Sequence, residues 1–220
     1  MSERKKERMK IVGFVLGIFL FSCQSQGNKS EPVESQPVNI EVDYQKLDTA
    51  TLAGGCFWCV EASFEQIKGV AEAVSGYSGG KKNTADYRMV SSGATRHAEA
   101  VQVYYDPSVI DYETILDIFF TSHDPTQLNR QGPDVGTQYR SEIFYHNEEQ
   151  RKIAEAKIKE LQPNFDTRIV TEISALDAFY VAEEYHQDYE KKHPNNSYIQ
   201  NVSRPKINKV AKKFKALLKK

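Results

Sequence analysis

Cysteine is scarce in this chain of 220 residues, which has three in all, Cys23, Cys56 and Cys59. No second cysteine pair exists to complete a four-ligand zinc site, and His97, His123, His146, His186 and His193 lack paired ligand spacing. No metal site is therefore expected. An excess of one charge is missing too. The formal net charge of −1 gives no footprint for nucleic acid or for an acidic partner. The apolar run from residue 11 to residue 21 is too short to span a bilayer comfortably. No internal repeat is visible. What is present is a hydrophobic content of 40%, enough for a real core, in a length that fits one domain with appendages.

The N-terminus reads as an appendage. Arg4, Lys5, Lys6, Arg8 and Lys10 form a basic region ahead of the apolar run. The run ends in Leu20-Phe21-Ser22-Cys23, which resembles the lipobox of bacterial lipoprotein signal peptides, with Phe21 bulky for its place. The expectation is a signal peptide over 1–22, a lipidated Cys23, a polar tether over 23–45 and a domain over 46–220. The product would be an exported lipoprotein anchored to a membrane of the bacterial cell envelope. With Cys23 lipidated, Cys56 and Cys59 remain as one pair. So short a loop gains little stability from closure, so the pair reads as reactive rather than structural.

Gly54-Gly55-Cys56-Phe57-Trp58-Cys59-Val60-Glu61 follows the short apolar run Thr49 to Ala53 and opens a helical pattern of Val60, Phe64 and Ile67. This predicts strand, tight turn and helix, with Cys56 at the helix N-terminus. Unpaired N–H groups and the helix dipole favour a thiolate there, the nucleophilic form of cysteine. Further along, Val70 to Val74 reads as a strand that leaves into a glycine-rich turn at 76–80, and 81–96 as irregular. His97 to Asp106 alternates, with Glu99, Val101, Val103 and Tyr105 on one face. Asp111 caps a helix carrying Ile115, Leu116, Phe119 and Phe120. Residues 124–140 form a long loop of the kind that carries function. A strand over 140–146, a helix capped by Asn147 and Gln150, a strand over 168–173 and a polar segment at 182–192 follow. The tail from 204 has helical spacing at Val210 and Phe214, the pattern of a packed C-terminal helix; its basic residues leave contact with an anionic membrane as the alternative. Strands and helices in this order indicate an α+β domain.

A lone C-x-x-C fits a dithiol redox site. Five segments narrow that reading: Gly-Cys-Phe-Trp-Cys at 55–59, Gly-Tyr-Ser-Gly-Gly at 76–80, His-Ala-Glu-Ala-Val at 97–101, the run at 123–140 and Ala-Glu-Glu-Tyr-His-Gln at 182–187. In this order they resemble A-type peptide methionine sulfoxide reductases, from about residue 47 to the C-terminus. The resemblance implies a ferredoxin-like mixed sheet with helices packed on it and long functional loops. It implies reduction of the S epimer of methionine sulfoxide, in proteins or free, without a bound cofactor, and recycling by a thioredoxin-like thiol reductant. A monomer is expected. By motif position Cys56 matches the nucleophile, Glu99 the acid, Tyr87 and Tyr139 the phenols that bind the sulfoxide oxygen, and Asp134 a carboxylate that orders the site. Phe57 and Trp58 match the pocket for the S-methyl group, with Gly55, Glu183 and His186 as site support.

Many members carry recycling cysteines near the C-terminus, and this chain has none after Cys59. Cys59 is therefore the expected resolving thiol. Arg96 departs from the glycine common before His97. Two other readings stand beside this one, a protein thiol–disulfide oxidoreductase and a non-catalytic surface lipoprotein that binds through the long loop.

Overall fold

The computed structural model describes residues 44–220. The expected signal peptide, Cys23 and nearly all of the tether lie outside the described residues. Among these, no helix is long and apolar enough to cross a membrane.

The centre of the fold is β1 (Asp48–Gly54), whose residues Ala50 to Ala53 are completely buried. Small and β-branched side chains suit a strand covered on both faces. Strand β1 pairs antiparallel with β3 (Ala98–Tyr105) on one side and with β6 (Ser141–Tyr145) on the other. Strands β2 (Val70–Ser78), β7 (Glu172–Ala175) and β8 (Phe179–Val181) complete a six-stranded sheet in the order β7-β6-β1-β3-β2-β8. Only β6 and β7 run parallel, so the sheet is mixed. Helix α1 (Phe57–Glu65) and helix α3 (Tyr112–Ser122) bury Phe64, Ile115, Leu116 and Phe119 against Leu52, Val101, Val103 and Ile143 of the sheet. A smaller cluster of Ala53, Ala98, Ala100 and Phe144 is covered by Leu176 and Phe179.

Helix ends follow the capping residues. Asp111 accepts from the Thr114 N–H at 2.8 Å at the start of α3. Asn147 accepts from the Gln150 N–H at 2.9 Å and opens α4 (Glu148–Leu161). The return bond of that box is displaced by one residue: Gln150 Oε1 accepts from the His146 N–H rather than from Asn147, and Gln150 Nε2 donates to the Thr49 carbonyl. Helix α6 (Arg204–Lys213), which follows the short α5 (Tyr189–Lys192), packs against α1 and α3 and buries Val210, which favours the packed C-terminal helix over a membrane-facing one.

Four expectations need correction. Strand β2 runs on through Gly76, Tyr77 and Ser78, because Gly76 pairs with both Ala100 and Val181. Helix α2 (Tyr87–Ser91), capped by Asp86, lies in the segment expected to be irregular; five residues are too few to show a period. The long loop contains the small hairpin of β4 (Arg130–Gln131) and β5 (Asp134–Val135). The strand expected over 168–173 is shifted to β7, since the ladder to β6 holds only Glu172 to Ala175.

Candidate active site

Strand β1 ends at Gly54 and α1 begins at Phe57, so Gly55 and Cys56 alone make the connection. Gly55 has φ of +94°, and a Cβ there would lie 2.6 Å from Gln131 Cβ. A side chain at 55 is strained and crowded at once. Gly55→Ala is expected to cost about 1–3 kcal/mol. An unchanged denaturation midpoint would mean that the turn relaxes instead.

Cys56 is the N-cap of α1 and is 6% exposed; Cys59, one turn along, is 1% exposed. Both are free thiols. The expected dipole-stabilised thiolate at Cys56 is not what this environment favours. A helix N-terminus contributes about 0.3–1 kcal/mol to an anion. Taking an anion out of water costs several kcal/mol. Burial wins, and with Cys59 and Glu99 it pushes the Cys56 thiol well above its ordinary range. The Cys56 thiol beside it, outweighing burial, brings Cys59 down to about 7. In the substrate-free site the proton of the pair belongs to Cys56.

Glu99 reaches this turn from β3. It is 2% exposed, and its Oε2 accepts from the Phe57 N–H at 3.0 Å. Burial lifts its carboxyl to about 8 against the pull of that N–H, with Asp134 and Cys59 adding to the rise. Glu99 therefore holds a proton at neutral pH. Tyr77 sits opposite Glu99 in the β2–β3 register, and its hydroxyl donates to Glu183 Oε2 at 2.8 Å. The other oxygen of Glu183 accepts from the Tyr87 N–H at 2.9 Å, so this carboxylate fixes the start of α2 to the sheet. Burial raises the phenol of Tyr87 to about 12, and the neighbouring Glu99 and Cys56 raise it too. The same three causes raise Tyr139, in the turn over 137–139. Both phenols stay neutral donors beside Cys56 and Glu99.

The aromatic wall is built from α1 and the 185–198 region. Phe57 is buried against Tyr77 and His186, with ring centroids 5.9 and 5.1 Å away. Trp58 stacks on Tyr189 at 3.8 Å, and its indole N–H donates to His186 Nδ1 at 3.2 Å. That bond puts the proton of the neutral imidazole on Nε2. Burial lowers His186, which suits the neutral form. Asp134 accepts from the Tyr198 hydroxyl at 2.6 Å.

A family model described as "Peptide methionine sulfoxide reductase" matches residues 48–218. The chain belongs to this family. A "Peptide methionine sulfoxide reductase MsrA" of Pasteurella multocida is 55% identical over 170 residues, covering 77% of this chain and 98% of the relative. One of the same name from Haloquadratum walsbyi is 53% identical over 167 residues, covering 76% and 96%. Among solved structures, reduced Mxr1 from Saccharomyces cerevisiae superposes with a TM-score of 0.67 at 38% identity, covering 72% of this chain and 92% of its own. Methionine sulfoxide reductase A of Corynebacterium diphtheriae gives 0.62 at 33% identity, covering 74% and 78%.

Seen as a reductase site, the structure gathers Cys56, Cys59, Glu99, Tyr87, Tyr139, Phe57 and Trp58 around the first turn of α1. Asp134 joins them through Tyr198, and Glu183 and His186 stand behind as supports. Cys23 lies outside the described residues. Tyr198 and Tyr189 escaped sequence reasoning. Tyr198 bonds Asp134 and also pulls the Cys56 thiol down against burial. Both sit in a polar stretch with no period, so nothing singled them out among 12 tyrosines. Arg96 is accommodated: it lacks a positive φ, and its carbonyl accepts from Arg140 Nη2 at 3.2 Å. Among the described residues, no group of three or more His, Cys, Asp or Glu could hold a metal ion.

Proposed function

We propose that the chain reduces the S epimer of methionine sulfoxide, in proteins or free, and so repairs oxidised proteins. The observation that carries this reading is the convergence of a buried thiol, a buried protonated carboxyl and two neutral phenols on one helix start. Sulfoxide sulfur is a weak electrophile until its oxygen is protonated or strongly hydrogen-bonded. Tyr87 and Tyr139 hold the oxygen, and Glu99 gives it a proton. Cys56 Sγ attacks sulfur as its own proton moves to the Glu99 carboxylate. The S–O bond breaks as its hydroxyl passes to Cys56 Sγ, the S–S bond made on attack breaks, and methionine leaves. Glu99 ends as it began. Phe57 and Trp58 receive the S-methyl group.

Cys59 then attacks the Cys56 sulfenic acid, releasing water and leaving a Cys56–Cys59 disulfide. A thioredoxin-like dithiol reduces that disulfide. The basic, apolar and Ser-Cys sequence of the first 23 residues supports export and a lipid anchor at Cys23. Oxidised proteins of the cell envelope would then be the substrates.

Separated sulfoxide epimers in a peptide, with a dithiol reductant, test the reading. Turnover is expected for the S epimer alone; equal turnover of the R epimer would sink it. With thioredoxin as reductant, Cys59→Ser is expected to release one methionine per enzyme and then stall. Continued turnover would remove Cys59 from the resolving step. A thiol–disulfide oxidoreductase leaves the two phenols and the buried acid without a role.

A further inference from the structure

We propose that Lys206, with Ser203, holds Cys59 as the thiolate that attacks the Cys56 sulfenic acid. This inference rests on Cys59 being the resolving thiol.

The observation behind it is a lysine without a counter-ion. Lys206 Nζ is buried and has no hydrogen-bond partner among the described residues. An ammonium shut away from water and unpaired is costly, and such a group ordinarily has an anion to meet. An acid lining the same cavity as Lys206, Asp124, does not serve. Asp124 is occupied by the Thr126 N–H and hydroxyl and by Gln127 Nε2. His123 beside it is neutral, lowered to about 4 by burial, with Lys206 and Lys209 adding to the shift.

On the other side its charge reaches Cys59. Ser203 Oγ lies 3.1 Å from Cys59 Sγ. Ser203, the N-cap of α6, falls with Lys206 and Val210 at i, i+3 and i+7 along one face, and Val210 is fully buried there. Lys206 is thus one turn beyond the serine that touches the sulfur. Its charge favours the Cys59 anion, as does Ser203, while Asp134 opposes. The remaining titratable groups around this sulfur are Cys56, Glu99 and Tyr198.

The order of events explains why a lysine is needed. At rest the Cys56 S–H stabilises a Cys59 anion, but that proton donor is lost when Cys56 becomes a sulfenic acid. Lys206 and Ser203 remain. Cys59 S⁻ forms the S–S bond, the S–O bond of Cys56 breaks, and the departing hydroxide takes the Glu99 proton to become water, the dithiol that later reduces the disulfide returning it. One sulfur is oxidised and the other reduced, and no outside oxidant enters. Lys206 takes part in no bond change and acts as a positioning residue.

Full-length enzyme without reductant is mixed with S-sulfoxide peptide, and methionine release and thiol loss are followed separately by acid quench and mass mapping. Losing the charge is expected to raise the Cys59 pKa by about one unit; near pH 7 the thiolate fraction then falls about fivefold while its nucleophilicity rises about threefold, so closure slows about twofold. Lys206→Gln should therefore lower the ratio of closure rate to methionine-release rate about twofold, with Lys206→Arg restoring most of it. Ultraviolet thiolate absorbance, taken as the difference between Cys56→Ser and Cys56→Ser/Cys59→Ser proteins, isolates Cys59 from Cys23; its midpoint should rise with Lys206→Gln. Closure at the parental ratio, or an unmoved thiolate midpoint, overturns the proposal. Should Lys206→Gln fail to fold, Ser203→Ala is measured the same way, and an unchanged ratio there overturns it equally. Multiple turnover by Cys59→Ser, in contrast, would defeat the underlying assignment of Cys59.

Discussion

Cys56→Ser is expected to abolish sulfoxide reduction, by a factor on the order of 10⁴ or more, the scale on which loss of a nucleophile falls. A serine hydroxyl at this N-cap cannot accept oxygen from sulfur, so no second path remains. The fold should tolerate the change, because serine is a better N-cap than cysteine and the side chain is only slightly smaller. The informative measurement pairs methionine release with thermal unfolding. Lost activity with an unchanged unfolding temperature supports the nucleophile. Residual turnover above a hundredth of the parent would place the chemistry elsewhere.

Glu99→Gln carries the second large effect. General acid catalysis typically contributes about 10²–10⁴-fold, and glutamine has no proton to give. The parent enzyme should lose activity as pH rises through about 8, where the buried Glu99 carboxyl ionises. The glutamine variant should lack that limb. On substitution, stability should move in the opposite sense to activity. The folded pKa of Glu99 is raised, so the native state binds more protons than the unfolded chain between the ordinary carboxylate range and about 8. Stability from this group is therefore full at low pH and falls as pH climbs through that window. Glu61, buried beside Ser75 and raised to about 8 mainly by burial, acts in the same direction. Removing the Glu99 charge should make the variant less active and, above neutral pH, more resistant to denaturant. A parallel loss of both would mean that Glu99 serves the fold rather than the reaction.

Legibility from sequence varied with how local each cause is. Helix α1 and strand β3 were readable from their periods, and helix α3 because a period and the Asp111 cap agreed. Glu99 was readable as buried because it alternates with Val101 and Val103. The five-residue α2 was not, nor was β8, which is three residues long and held by pairing with β2. The strand at β7 was misplaced because an edge strand's limits are set by its partner, here β6. The cysteine pair shows the same division. Its position at a helix start could be read from the sequence. The direction of the Cys56 shift could not, because burial comes from α6, β3 and the 185–198 region, all far along the chain. Tyr198 and Ser203 reach the sulfurs for the same non-local reason.

The chain's only tryptophan stands between its two cysteines, stacked on Tyr189 and bonded to His186. All of the protein's indole emission therefore originates within one helical turn of the reacting sulfurs. The reductase has its own optical probe: each oxidation and reset of the pair occurs beside a single fluorophore, with no second tryptophan to dilute the signal.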